Sequence, residues 1–267
     1  MKQIRFHKMV GAGNDFIVID HRRNSIKNVG VFAREVCDPH YGVGADGVVL
    51  LENSKKSDLR MRIINADGSE AEMCGNATRC VALYANKLMR FGKNLSLETK
   101  AGEIQTQILG NRVRSNFTTP RDYRSQSKIR VEGKEYSYYS VDTGVPHAVI
   151  FVKDLVKFPV VEVGRVIRLH KQFVPRGTNC NFVQIKNAHT LLIRTYERGV
   201  EDETLACGTG VVASAVVSVV EGFCKTPVKL ITRSGEEMIV NFKFDGCCIE
   251  NVTLEGPAKF ICEGVLV

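Results

Sequence analysis

One offset, 133 residues, recurs along this 267-residue chain. It separates Cys74-Gly75-Asn76 from Cys207-Gly208-Thr209, and it also carries Leu97-Glu98-Thr99-Lys100-Ala101-Gly102-Glu103 onto Leu230-Ile231-Thr232-Arg233-Ser234-Gly235-Glu236. Gly11 falls on Gly144, Gly44 on Gly177 and Ala82 on Ala215, while Asn14 meets His147 and Asn65 meets Arg198. Several ungapped matches at one spacing point to two structurally equivalent halves. The period is far too long for a solenoid unit, so it predicts two domains related by a pseudo-twofold axis. We place them at residues 1–118 and 119–267, with the C-terminal tail able to return to the first. Pro120 follows an extended stretch there, a suitable crossing point between domains. Ligands favour the junction of two such halves.

Local pattern fills in each half. Ile4 and Phe6 alternate, Gly11 to Asn14 turns, and Phe16 to Asp20 reads as a strand. Val31 to Val36 suits a short helix. Gly42 to Gly47 has the letters of a dinucleotide fingerprint, but it runs into the strand-like Val48 to Glu52 instead of opening a helix, so nucleotide binding is not expected. After Cys74, apolar and small residues recur at helical spacing (Ala77, Cys80, Val81, Tyr84, Leu88) up to a stop at Gly92. Leu95 to Thr99 and Glu103 to Ile108 form a hairpin pattern around Ala101-Gly102. The second half repeats the order, and its Val211 to Val220 run, apolar nearly all round, predicts a buried helix ending before Gly222. The expected class is α+β: in each half a mostly antiparallel, barrel-like sheet wraps a central helix.

Composition narrows the functional classes. Apolar content of 44% and charged content of 25% are those of a globular chain with enough length to bury a core. The Met1 to Lys8 start has no apolar h-region, and no run approaches the ~18 apolar residues of a membrane span, so a cytoplasmic protein is expected. The net charge of +8 is scattered without a nucleic-acid module, and reads as a solvated surface. Nine cysteines at irregular spacing suggest reduced thiols rather than a disulfide framework. Zinc-type spacing is missing: no Cys-x-x-Cys occurs, Cys37 and His40 supply two ligands at most, and adjacent Cys247-Cys248 are cramped for ordinary paired ligation. No metal and no cofactor are expected.

Cys74 and Cys207 are different in kind. A cysteine just before a helix meets unpaired N–H groups and the positive end of the helix dipole. Both favour thiolate, and can bring a thiol from about 8.5 into the neutral range. The same N–H groups bind carboxylate, and Gly75 and Gly208 admit a ligand close to the backbone. A carboxylate held by two such helix starts would have a sulfur on either side of its α-carbon. One thiolate could then remove the α-proton while the other thiol protonates the opposite face, with coupled titrations and with charge stabilised by the helix ends. By contrast, Cys80, Cys180, Cys224, Cys247 and Cys262 read as packing residues.

These residues resemble the diaminopimelate epimerase family over nearly the whole chain. Lys8-Met9-x-Gly11-x-Gly13-Asn14-Asp15-Phe16 is similar to its N-terminal motif. Asn65-Ala66-Asp67-Gly68-Ser69-x-Ala71-x-x-Cys74-Gly75-Asn76 is similar to its first catalytic motif. Tyr196-Glu197-Arg198-Gly199 with Thr204-Leu205-Ala206-Cys207-Gly208-Thr209-Gly210 is similar to its second. The resemblance implies a cofactor-independent epimerase of LL- and meso-2,6-diaminopimelate, serving lysine and peptidoglycan precursor synthesis. It implies that Cys74 and Cys207 are the acid/base pair, and that Gly75, Asn76, Gly208 and Thr209 hold the reacting carboxylate. Asn14 and Glu197 would receive the ammonium, and Asn65, Asn179 and Arg198 the distal end, with Arg198 suited to a carboxylate fork. Partners would be the small-molecule substrate alone, with no nucleic acid or membrane, and a homodimer is compatible.

Two departures stand out. Gly144-Val145-Pro146-His147 occupies a place where the family often has Gly-Asn-Pro-His, and Ala77-Thr78 follows Asn76 where glycine is common. Val145 removes a distal amide and leaves substrate breadth open. Two alternatives remain: a related two-cysteine racemase with a different substrate such as proline or hydroxyproline, and a non-catalytic thiol protein that switches by a disulfide.

Overall fold

The computed structural model describes residues 3–22 and 26–267, so Met1 and Lys2 of the N-terminal reading fall outside the described residues. Two compact units are present: residues 1–116 with 255–267, and residues 117–254.

In the first unit the chain forms β1 (Ile4–Gly11), β2 (Asn14–Asp20), α1 (Val29–Cys37), β3 (Gly47–Glu52), β4 (Leu59–Asn65), β5 (Glu70–Ala71), α2 (Gly75–Leu88), β6 (Asn94–Thr99), β7 (Gly102–Leu109) and β8 (Arg112–Asn116). The terminal strand, here β18 (Lys259–Leu266), pairs antiparallel with β1. From there the sheet runs β18, β1, β2, β3, β4, β6, β7, β8, parallel only at β2–β3 and β4–β6. It curls around α2. Ala77, Cys80, Val81 and Tyr84 of that helix share one core with Met9, Phe16, Val49, Met61, Leu97 and Val113, which come from six different strands. Alternate residues of β2 and β3, such as Ile17, Ile19, Val48 and Leu50, point the other way and pack under α1. A sheet covered on both faces explains why these two strands are unbroken apolar runs.

The second unit repeats the plan with β9 (Arg121–Val131), β10 (Lys134–Asp142), β11 (Pro146–Phe151), α3 (Val160–Arg168), β12 (Asn179–Asn187), β13 (Thr190–Glu197), β14 (Asp202–Thr204), α4 (Gly208–Val220), β15 (Val228–Ile231), β16 (Glu237–Phe244) and β17 (Ile249–Pro257), whose last three residues already belong to the first unit. The parallel steps recur at β11–β12 and β13–β15. Helix α4 packs against β10, β11, β12 and β16. Its Val211 to Ser218 segment is fully enclosed, which is why valine-rich sequence serves as a helix here: packing overrides a modest propensity. The α+β class with a central helix in a strand barrel therefore holds in each unit.

Three details differ from the sequence reading. Helix α2 stops at Leu88, before Gly92, and Arg90 takes the left-handed conformation (φ 60°). The Phe91 amide donates to the Ala85 carbonyl and Asn86 donates to the Phe91 carbonyl, which offsets the cost of a side chain there. Cys247 and Cys262 are exposed, not packing residues, because one lies in the turn after β16 and the other in β18, which is exposed at every residue from Lys259 to Glu263. Each unit also has a second, short helix, and α3 had no counterpart in the sequence reading. No helix among the described residues is long and apolar enough to cross a membrane.

Candidate active site

Both thiols stand where the residues of a helix N-cap stand. Cys74 (φ −144°, ψ 118°) is extended and precedes Gly75, the first residue of α2; Cys207 (φ −118°, ψ 108°) does the same for α4. Their carbonyls already accept the first helical bonds, from the Thr78 amide at 2.9 Å and the Val211 amide at 2.9 Å. Neither side chain caps its helix, and neither first turn carries an acidic residue. The first-turn N–H groups thus have no side-chain cap from the cysteine, and no carboxylate of their own helix competes for the dipole's positive end. Cys207 is buried and its sulfur lies 3.2 Å from the Thr209 hydroxyl; Cys74 is partly exposed.

Around Cys74 a polar chain, buried at Asn76 and Arg79 and reaching the surface at Asp46, fixes the helix start. The Asn76 side chain is nearly enclosed, donates to Asn14 Oδ1 at 2.5 Å and accepts from Arg79 Nη2 at 2.5 Å. Arg79 also donates to the Gly75 carbonyl (3.1 Å) and the Pro257 carbonyl (3.3 Å). Asn14 in turn donates to Asp46 Oδ2 at 2.8 Å, and Lys8 joins Asp15 (2.9 Å) with the Gly44 carbonyl (2.7 Å). Asn76 therefore has its side chain committed within the protein, and its backbone N–H remains the group suited to a ligand. Asn14 Oδ1 keeps one lone pair beyond the Asn76 bond. Asn65, at the end of β4, donates to the Ser69 hydroxyl at 3.0 Å.

Around Cys207 the partners come from β10 to β13. Glu197 ends β13, and burial pushes its carboxyl above the usual carboxylate range, an effect partly offset by hydrogen bonds from neighbours that include Cys207. Asn179 is buried, accepts the Arg198 amide at 2.8 Å and donates to the Pro146 carbonyl at 3.1 Å. The Arg198 guanidinium donates to the Arg176 carbonyl at 2.8 Å. Thr143 ties its hydroxyl to the Thr209 carbonyl at 3.2 Å.

His147 lies beneath this arrangement. Asn181 Nδ2 donates to its Nδ1 (3.0 Å) and to the Ala148 carbonyl (3.0 Å), and Thr195 donates to Asn181 Oδ1 (3.0 Å). With Nδ1 accepting, the neutral ring carries its hydrogen on Nε2. Burial pulls His147 down to about 3, so it is uncharged at neutral pH.

Sequence reasoning missed Arg79, Asp46, Thr143 and Asn181. Arg79 left a signal, a charged residue at i+3 from Asn76 on the face of an otherwise enclosed helix. The others sit on separate elements, and only folding brings them near the helix starts. Cavities among the described residues measure about 820 Å³ beside His7, Leu88 and Phe260, about 400 Å³ beside Leu155, Arg194 and Thr232, and about 380 Å³ beside Asp142, His147 and Arg176. None of the three is lined by Cys74 or Cys207.

Comparison with known proteins gives the family and the fold. The chain is 42% identical to a diaminopimelate epimerase of Aquifex aeolicus, with 98% of each chain covered. It is 41% identical to that of Methanocella arvoryzae, covering 99% of this chain and 97% of the relative. Among solved structures, a Bacillus anthracis phenazine biosynthesis protein of the PhzF family superposes with a TM-score of 0.77 at 16% identity over the whole of both chains. A hydroxyproline epimerase of Agrobacterium vitis gives 0.73 at 15%, covering 99% of this chain and 92% of that one; at these identities the likeness is one of fold. The diaminopimelate epimerase family model matches residues 6–121 and 139–260, and the chain belongs to that family.

Proposed function

We propose that this protein is an isomerase that interconverts LL- and meso-2,6-diaminopimelate without a cofactor, with Cys74 and Cys207 as its two acid/base groups. The observation that carries the reading is the pair of thiols at matching helix N-caps, neither used as a cap, in a chain of this family. In one direction a thiolate takes the α-proton and the other thiol gives its hydrogen to the opposite face. One C–H bond breaks, one forms, and nothing is oxidised or reduced. The reverse stereoisomer exchanges the two roles.

The α-carbanion needs charge stabilisation, which N–H groups at Gly75, Asn76, Gly208 and Thr209 would supply to the α-carboxylate. Asn14 and Glu197 would accept from the α-ammonium. Asn65, Asn179 and Arg198 would hold the distal amino-acid end, with the Arg198 guanidinium facing its carboxylate. The halves read from the sequence, 1–118 and 119–267, each carry one thiol at a helix start. We read the enzyme as cytoplasmic and compatible with a homodimer.

The test is incubation of LL-diaminopimelate with reduced enzyme in deuterated water, beside L-proline and trans-4-hydroxy-L-proline. Epimerisation of diaminopimelate with gain of one α-deuteron is expected, and Cys74→Ala and Cys207→Ala should each abolish inversion while remaining folded. Exchange with the cyclic amino acids alone would overturn the substrate, and near-normal turnover by either variant would overturn the two-base assignment.

A further inference from the structure

A second thiol pair lies well apart, in sequence, from the two helix starts. The turn joining β16 to β17 is Asp245-Gly246-Cys247-Cys248. Both sulfurs are exposed and lie 3.5 Å apart. Asp245 Oδ1 accepts the amides of Cys247 (2.9 Å) and Cys248 (2.7 Å), and its carboxylate also takes a hydrogen bond from the Cys247 thiol. One ligand atom from each of the three residues lies within 4.8 Å of the others. Along a strand, neighbouring side chains point to opposite faces. In this turn Gly246 is left-handed (φ 101°) and the two sulfurs come to one side. The crowding expected of adjacent cysteines is relieved by the turn.

From these contacts we propose that Asp245, Cys247 and Cys248 form a surface site for a thiophilic divalent cation of the zinc and cadmium class, separate from catalysis. At a metal–sulfur distance of about 2.3 Å, sulfurs 3.5 Å apart subtend roughly 100° at the metal, close to tetrahedral. A linear two-sulfur ion would need them much farther apart. Two soft thiolates with a single carboxylate select against calcium and magnesium, which take oxygen-rich sets. The Cys247 thiol faces both the Asp245 carboxylate and the Cys248 sulfur, the other two donors of the set. On binding, each thiol releases its proton to solvent as its sulfur takes the metal. The protein supplies three ligands, which leaves the fourth position to water or an outside donor.

The experiment is a cadmium titration of the reduced full-length enzyme, following the ultraviolet sulfur-to-cadmium charge-transfer band, with zinc competition against a chromophoric chelator. Because Cys74 and Cys207 are also thiols, the readout is the difference between wild type and C247S/C248S. The double variant should lose one equivalent of bound cadmium while keeping wild-type epimerase activity and thermal midpoint. Each single serine variant should weaken binding at this site at least tenfold. Asp245→Asn, which keeps an oxygen for the two amides but removes the charge, should weaken it about tenfold, and millimolar magnesium should not compete. Unchanged stoichiometry and affinity in C247S/C248S would overturn the proposal, as would a wild-type protein in which a Cys247–Cys248 disulfide persists despite a phosphine reductant.

Discussion

Arg79 reaches back along its own helix and donates to Asn76 Oδ1 at 2.5 Å, although its side chain is fully enclosed. Asn76 passes the polarity on to Asn14, and Asn14 ends it on the Asp46 carboxylate. A buried guanidinium is tolerable only with partners of this kind. Each group in the chain therefore fixes the orientation of the next, and the first turn of α2 is held from below.

Arg79→Met, similar in length and uncharged, should leave Asn76 Oδ1 and the Gly75 and Pro257 carbonyls without this donor. An orphaned buried acceptor costs about 1–3 kcal/mol, and the losses within one network are not additive. The urea midpoint should fall clearly, and kcat/KM should drop with it as the helix start loosens. A variant that unfolds at the wild-type midpoint would mean the network is ornamental.

Much of the fold was legible because periodicity and repetition are local signals. The 133-residue offset marks the two helix starts, and both helices do begin one residue after a cysteine. The unbroken apolar runs of β2 and β3 marked strands, while their coverage on both faces came to light only with α1 and α2 in place. What stayed hidden depends on partners distant in sequence. Arg90 replaces Gly92 as the left-handed residue because Ala85 and Asn86 supply the closing bonds, and no composition rule foresees that. The exposure of Cys247 and Cys262 follows from a turn and an exposed terminal strand, not from residue type. At the site, single residues such as Glu197 look like surface charges until β13 delivers them beside a buried thiol.

Glu197 should make stability fall as pH rises. Its folded carboxyl lies above its unfolded value, mainly through burial, so between the two the native state binds more protons. The stabilisation is complete below the unfolded value and is lost as pH climbs through the folded one. Glu197→Gln cannot ionise, so its stability relative to wild type should improve across that window. Paired urea titrations at several pH values check this; parallel curves for the two proteins would contradict it.

His147 has the opposite sign. Burial lowers it from its usual 6.5 to about 3, so the unfolded chain binds the extra proton first. Stability is full above 6.5 and declines as pH falls towards 3. His147→Gln should flatten this acid limb while keeping a polar partner for Asn181. If the mutant lost stability between those pH values as steeply as the parent, burial of a neutral imidazole would not be the cause.

Gly208 and Gly210 share one motif but should respond differently to alanine. A Cβ at Gly210 would stand 2.2 Å from Asn181 Oδ1, the atom that already accepts Thr195 and belongs to the amide bonded to His147. That network cannot yield cheaply, and Gly210→Ala should cost about 1–3 kcal/mol by overpacking. A Cβ at Gly208 meets only Leu254 Cδ2, at 3.5 Å, an ordinary contact. Gly208→Ala should therefore keep a near-wild-type thermal midpoint. Its methyl would instead stand where the substrate carboxylate is proposed to approach the helix N–H groups, and KM should rise about tenfold, equivalent to about 1.4 kcal/mol. Thermal melts and steady-state kinetics of the two variants separate the roles. A Gly208→Ala enzyme with unchanged kcat/KM would remove Gly208 from the carboxylate site, while an unperturbed Gly210→Ala melt would show that the Asn181 network has room to move.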